Sequence, residues 1–276
     1  MDFSVLMSVY CKDNTDDFRT ALESVTLTQK RQPQQVVIVQ DGVVPPSIDE
    51  IIETVKSKAG EIEFTVLKKE KNQGLAAALN SGLALCKYDW VARMDSDDIS
   101  VEDRFEKQIA FIEKNVDISV LGGAIAEFEN EIGDIHSERH VGLTHEEITK
   151  MSRSRTPMNH VSVMYLKSAI LEVGGYSEDF GKLEDYKLWV DLIASGKKMA
   201  NIDDIIVCVR VGKGFIERRS NKREIQDWDM LQTYLLKSNL ITKRKALINK
   251  LNIRGFIYMP AWMKRIVYKT ILRENR

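Results

Sequence analysis

Three runs of the chain, residues 4–10 (SVLMSVY), 35–40 (QVVIVQ) and 90–94 (WVARM), are apolar along almost their whole length instead of at alternate positions. A strand of that kind is buried on both faces, as in a parallel sheet covered by helices on each side. The segments between them agree. Residues 16–29 repeat Phe18, Ala21, Leu22 and Val25 at helical spacing, 48–58 and the Ala/Leu-rich 75–86 read as two further helices, and 61–67 as another strand. Short strands joined by helices of roughly ten residues predict an α/β architecture with a mostly parallel sheet.

The pattern beyond residue 100 is less regular. It predicts a helix over 101–115 capped by Asp98 or Ser100, a strand over 118–121 stopped by Gly122-Gly123, and an aperiodic stretch over 127–145. A strand over 161–166 and a helix over 168–173, ended by Gly174-Gly175, come next. The helix over 184–195 puts Leu188, Leu192 and Ile193 on one face, with Gly196 closing it and Trp189 in the core. A strand over 205–211 and a Gly/Arg loop over 212–220 precede a helical remainder. With no repeat and no linker, the simplest division is a catalytic-sized domain over 1–215 and a helical extension over 216–276.

At 276 residues and 43% apolar content, the chain can bury one large core. No run approaches ~18 consecutive apolar residues, so a spanning helix is not expected. The start, MDFSVLMSVY, is acidic at Asp2 and does not read as a signal peptide. Cys11, Cys86 and Cys208 are too few and too scattered for a disulfide framework or a zinc knuckle. A soluble, cytoplasmic protein is the expectation.

In an open parallel sheet, ligands bind beyond the carboxyl ends of the strands. Ser8-Val9-Tyr10, Asp41-Gly42, Asn72-Gln73-Gly74 and Asp95-Ser96-Asp97-Asp98 all fall there. The last is the sharpest signal. Three carboxylates within four residues repel one another unless a cation or full hydration compensates. Spaced i, i+2, they suit a hard cation such as Mg²⁺ or Mn²⁺ that keeps open positions for phosphate oxygens. The other reading is a solvated turn before the next helix. There is no G-x-G-x-x-G, no G-x-x-x-x-G-K-[ST], no G-x-S-x-G and no H-E-x-x-H, and His136, His140, His145 and His160 lack a ligand spacing.

The succession SVLMSVY, VVIVQDG, NQGLAAALNSGL, ARMDSDD and GKLEDYKLW resembles the inverting glycosyltransferases of family 2, and the match runs through most of residues 1–212. The likeness is nearest to bacterial enzymes that build lipopolysaccharide O-antigen, capsule or exopolysaccharide repeat units. It implies the GT-A fold, a Rossmann-like nucleotide-diphospho-sugar transferase, with a nucleotide-sugar half over about 1–100 and an acceptor half over about 101–215. It implies that Ser8, Val9 and Tyr10 pack on the nucleotide, that Asp41 meets the uracil edge, and that Asn72 and Gly74 flank the nucleoside. Asp95 and Asp97 match the D-x-D motif, the first near the ribose and the second on Mn²⁺ or Mg²⁺. Asp185 matches the general base. Cys11 stands where many members have Asn, no Q-x-x-R-W follows, and Gly212-Lys213 replaces a frequent His after Arg210.

The implied reaction moves one sugar from a UDP-linked donor to a glycan or an undecaprenyl-diphosphate-linked acceptor, an α-linked donor giving a β-linked product. Two other functions compete with it: a sugar-nucleotide nucleotidyltransferase, whose Gly-rich basic loop is missing here, and a non-catalytic sugar-nucleotide or glycan-binding module. His160, Glu184, Arg210 and Lys213 are further candidates for acceptor or diphosphate contacts. Arg104 has two readings, a phosphate contact or, the favoured one, pairing with Glu102 or Asp103. Lys213, Arg218 and Arg219 read either as a basic loop that closes over the diphosphate or as solvated surface.

From Lys237 onward the chain carries eleven basic residues against one acid, leaving a net −11 on the body before it. Tyr258, Trp262 and Tyr268 interleave with these cations, so residues from 261 onward read as an amphipathic helix at the inner face of the cytoplasmic membrane. Packing of that aromatic face on the catalytic domain is the competing reading. An acidic body argues against a nucleic-acid partner.

Overall fold

The computed structural model describes residues 1–212 and 223–267. The apolar runs become strands at the middle of one sheet. β1 (Phe3–Val9) lies between β2 (Gln35–Gln40) and β4 (Trp90–Met94), with β3 (Glu63–Lys68) outside β2, all parallel. Alternate side chains serve opposite faces. Phe3, Val5 and Met7 meet α1 (Thr15–Ser24), α2 (Pro46–Lys58) and α4 (Arg104–Lys114). Leu6, Val37 and Val39 meet α3 (Leu75–Leu85) on the other face. Every carboxyl end of these parallel strands therefore opens on one edge of the sheet.

The second half of the sheet is mixed. After β4 come β8 (Met164–Leu166), antiparallel to it, then β6 (Ile118–Phe128), β9 (Lys198–Arg210) and β5 (Ile99–Ser100), with β7 (Glu138–Arg139) beside β6. Four expectations are corrected here. Gly122 and Gly123 do not end β6 but lie inside it, because the chain is packed too closely there for side chains. A Cβ on Gly122 would stand 2.3 Å from Asn201 Oδ1, and one on Gly123 2.6 Å from Ile206 Cδ1. β9 begins well before residue 205; Asp203 and Asp204 interrupt its apolar pattern, and its register on β6 shifts at the same place. The helix after the acidic cluster starts at Arg104, capped by neither Asp98 nor Ser100, because residues 99–100 pair with β9 as β5. Residues 160–162 form a 3₁₀ turn ahead of β8 rather than its first half.

The aperiodic stretch holds the end of β6 and the short β7 before α5 (His145–Met151), which starts with a Thr144–Glu147 capping box. α6 (Lys167–Glu172) and α7 (Glu184–Ala194) cover the same face as α3, with Trp189 fully buried. The C-terminal helices α8 (Arg223–Lys237), α9 (Lys243–Tyr258) and α10 (Ala261–Val267) follow. Leu231, Leu235, Ile241 and Ala246 close a separate core with Phe180, Tyr186 and Val190. The expected boundary near 215, and Lys213, Arg218 and Arg219 of the expected closing loop, lie outside the described residues.

Candidate active site

The side of the edge formed by the ends of β1 and β2 is built from loop backbone. β1 ends with Ser8 half-buried, Val9 buried and Tyr10 at the surface. The Tyr10 N–H donates to Asp13 Oδ2 at 3.0 Å, and the Ser96 hydroxyl donates to the same oxygen at 2.7 Å. Asp13 thus ties the β1 loop to the acidic loop, and burial, with Asp95 adding, pushes its carboxyl above the usual range. Asp41, buried at the end of β2, accepts the Gln73 N–H and the Gly74 N–H, each at 2.9 Å. Asn72 Nδ2 donates to the Asp41 carbonyl at 3.2 Å. Asp41, Asn72 and Gly74 are therefore one linked unit.

Gly42 sits at φ +91°, and a Cβ there would lie 2.7 Å from the Asn72 backbone nitrogen. Gly42→Ala is expected to cost about 1–3 kcal/mol of stability, because both backbone segments are held by these bonds. It is also expected to weaken nucleotide binding; chemical denaturation and a nucleotide titration check the two effects.

The acidic loop divides its three carboxylates among different tasks. Asp95 forms a two-pronged ion pair with Arg93. Asp98 is buried and accepts the Arg210 N–H at 2.8 Å. Burial, then Asp95 and Asp97, raise its carboxyl well above the ordinary value. Asp97 reaches solvent, yet the protein around it displaces enough water to push its carboxyl up to about 6, with Asp95 and Asp13 adding to the rise. Arg210 spans the back of the loop. Its Nε donates to the Asp97 carbonyl at 3.2 Å, its guanidinium pairs with Asp17 at 2.9 Å, and it lies over the Phe128 ring.

This donor set fits a hard divalent cation: carboxylate oxygens, an excess of negative charge, and an exposed Asp97. Among the described residues no three His, Cys, Asp or Glu side chains form a metal cluster. The protein's share of the coordination would thus be Asp97, with Asp95 beside it.

α7 brings the second set of acids. Glu184 and Asp185 occupy its first turn, where Asp185 Oδ1 accepts the Tyr186 N–H at 2.6 Å. Glu184 is buried, and its Oε2 has no hydrogen-bond partner among the described residues. Burial and the Asp185 charge push its carboxyl up to about 7, while Arg93 opposes the rise and Asp95 adds to it. The start of α7 and the end of β4 therefore share one electrostatic field. His160 belongs to it too. Its Nε2 shares a 2.9 Å hydrogen bond with the Tyr176 hydroxyl, and its ring lies edge-on to Trp189. Burial, with Arg93 adding, holds the imidazole well below its usual pKa and so neutral.

The sequence reading passed over Arg93, Tyr176, Asp13 and Asn80. Arg93 is buried at the centre of the field. Burial works against its charge, but Asp95, with Tyr176 and Asp98, outweighs that and holds the guanidinium protonated. An arginine inside the apolar run WVARM was the available signal, since such a charge needs a partner. Asn80, a polar residue in an Ala/Leu helix, holds the Tyr176 backbone through two 2.8 Å bonds. Arg104 is corrected: it is fully buried and pairs with neither Glu102 nor Asp103. It donates to the Arg93 carbonyl at 2.9 Å and to Gln108 Oε1 at 3.1 Å, and burial followed by Arg93 pulls it down to about 9.

These shifts set a pH dependence. Glu184 binds its proton more tightly folded, near pH 7, than unfolded, near 4.5. The folded state therefore takes up protons as pH falls from about 8 to 6.5, and stability rises over that window. Asp97 continues the gain at lower pH, while His160, whose unfolded imidazole titrates near 6.5, opposes it from within the same window and leaves a smaller net rise. Without added metal the melting temperature is expected to be higher at pH 6.5 than at pH 8, and Glu184→Gln to flatten the slope. Thermal melts at the two pH values check this.

The chain matches the family model described as glycosyl transferase family 2 over residues 4–176. It is 40% identical to an uncharacterised glycosyltransferase of Haemophilus influenzae, covering 99% of this chain and 100% of that one. It is 34% identical to a UDP-Gal:α-D-GlcNAc-diphosphoundecaprenol β-1,3-galactosyltransferase of Escherichia coli, covering 99% and 97%. Among solved structures, S. aureus TarS 1–349 in complex with UDP-GlcNAc superposes with a TM-score of 0.66 at 15% identity, over 96% of this chain and 78% of that one. The mannosyltransferase PcManGT of Pyrobaculum calidifontis, with GDP-Man and Mn²⁺, gives 0.62 at 14%, over 97% and 81%. Fold, strand-end loops and family match agree: the chain has the GT-A fold and belongs to glycosyltransferase family 2.

Proposed function

We propose that this enzyme transfers one sugar, with inversion, from a UDP-linked donor to an undecaprenyl-diphosphate-linked glycan in bacterial surface polysaccharide synthesis. The observation that carries the reading is the meeting of two acidic groups around Arg93: Asp95 and Asp97 after β4, and Glu184 with Asp185 at the start of α7. Similarity to the Escherichia coli galactosyltransferase over nearly the full length of both chains supports the donor and acceptor classes.

Ser8, Val9 and Tyr10 form the nucleotide wall. Asp41 keeps the loop of Asn72 and Gly74 against it, and Asp95, fixed by Arg93, stands beside the ribose. Asp97, with Asp95, would hold Mn²⁺ or Mg²⁺, which when bound offsets the charge of the leaving diphosphate. Asp185 accepts the proton of the acceptor hydroxyl as the new glycosidic bond forms; a carboxylate there compensates for the weak nucleophilicity of a neutral alcohol. Glu184 and His160 border the acceptor side, and Arg210 braces the loop carrying Asp97. In this reading residues 1–100 serve the donor, 101–215 the acceptor, and 216–276 form the extension. The lipid-linked acceptor puts the enzyme at the inner face of the cytoplasmic membrane, with the basic extension as its peripheral contact.

The test is release of UDP from a panel of UDP-sugars with and without a diphosphate-lipid acceptor. Release that depends on acceptor, stops with EDTA and returns with Mn²⁺ is the expected result. Binding of nucleotide without release in any combination would mark a non-catalytic module.

A further inference from the structure

We propose that the outward face of α9, continued by α10, is the surface on which this protein lies against an anionic lipid bilayer. The inference deepens the membrane-bound acceptor reading and rests on it for its purpose, though the surface itself is argued from the helix.

α9 has two faces of opposite use. Ala246, Asn249 and Ile257 are buried, and Asn249 Nδ2 donates to the Arg153 carbonyl at 2.8 Å and to Gln232 Oε1 at 2.7 Å. That side is fixed to the body. The opposite stripe is apolar and open: Leu247 and Leu251 are each 59% exposed and Tyr258 67%. At 3.6 residues per turn these three side chains fall on one narrow line, and Ile248 flanks it. After Pro260, Trp262 at 65% and Ile266 at 53% add to the apolar exposure. Among the described residues, six of the fourteen exposed large hydrophobic side chains thus fall in one twenty-residue stretch. An aqueous surface seldom concentrates them so.

The charge beside the stripe identifies the occupant. Residues 243–267 contain seven Lys or Arg and no Asp or Glu. Lys243 and Arg244 are exposed at the start of the stripe. Long basic side chains beside Leu, Tyr and Trp let the apolar parts enter the acyl boundary while the cations remain at anionic headgroups. A second copy of the same face would bring these cations together, so self-association is the poorer fit. No described helix is long and apolar enough to cross a membrane, and the contact is an interfacial one. The surface proposed from sequence began at residue 261; the structure moves its centre to α9.

The test uses the full chain and vesicle flotation. Vesicles of phosphatidylcholine mixed with phosphatidylglycerol are expected to carry the protein, and phosphatidylcholine alone to carry much less. The Leu247→Glu/Leu251→Glu double variant is expected to lose about tenfold or more in partition coefficient. Both positions are exposed, so its urea unfolding midpoint should match the parent. Tryptophan emission of the parent should shift to the blue on the mixed vesicles, and Trp262→Phe should remove most of the shift. Equal flotation of parent and double variant, or absence of the Trp262 signal, would overturn the proposal. So would a solution dimer that the double variant dissolves. Transfer to a water-soluble acceptor analogue should be unchanged in the double variant; absence of transfer in every protein, with flotation intact, would count against the catalytic reading and leave the docking surface standing.

Discussion

Asp185→Asn is expected to lower kcat roughly 10²–10⁴-fold while donor affinity stays near the parent value. The substitution keeps shape and the capacity to accept the Tyr186 N–H, so α7 should begin as before. It removes the one property the proposed base supplies, a carboxylate able to take a proton. Its neighbour responds in a measurable way. Asp185 is the leading charge that raises Glu184, so in the variant the Glu184 carboxyl should fall from about 7 toward its ordinary range. Residual activity should then titrate at lower pH. Steady-state kinetics across pH, with donor affinity by calorimetry, read both effects. A kcat within threefold of the parent would remove Asp185 as the base; a large loss in Glu184→Gln instead would transfer the role to the buried acid.

Arg93→Ala is expected to be the most destabilising single change in the site. Removing one partner of a fully buried ion pair costs about 3–5 kcal/mol, and because the Asp95 left behind is 35% exposed the cost here falls at the lower end, about 3 kcal/mol. Here Asp95 would be stranded among Asp13, Asp97 and Asp98, three acids whose carboxyls are already raised. For a chain of this size the melting temperature should drop by roughly 10 °C. Arg93→Lys should recover only part of this, since a single ammonium cannot make the two-pronged contact with Asp95. Added protons should help the Ala variant more than the parent, so the gap in melting temperature should narrow toward mild acid. Melts of the three proteins at two pH values decide the matter. A shift below 2–3 °C in Arg93→Ala would mean that the acidic loop is held by the Arg210 and Ser96 contacts instead (about 1 kcal/mol at this chain length).

Local pattern carried the parallel half of the fold well. QVVIVQ and WVARM coincide with β2 and β4 because a strand buried on both faces has no polar interruption to blur its ends. The same rule hid β9: Asp203 and Asp204 break its pattern, although its pairing with β6 is the longest in the sheet. Glycines misled in β6. Read along the chain, Gly122-Gly123 is a stop; in space, it makes room for Asn201 and Ile206. The acidic cluster was legible because three adjacent carboxylates are costly without a purpose, and the Asp41-Gly42 turn because it shares a strand-end edge with it; Asp185 was carried by the family resemblance alone, since an acid in the first turn of a helix is favourable in itself.

What linear order could not supply was the division of labour among those acids. Asp95, Asp97 and Asp98 look equivalent in ARMDSDD, yet one is held by Arg93, one faces outward and one is buried under the Arg210 backbone. Charge type, spacing and apolar period are properties of neighbouring residues, so they declared the α/β scaffold, the edge where chemistry gathers and the family likeness. Which carboxylate keeps its charge, and which helix face remains uncovered, depends on groups far apart in the chain that desolvate and polarise one another. Only the folded packing brings Arg93, His160, Tyr176 and Glu184 within that reach, and only it leaves the apolar stripe of α9 open.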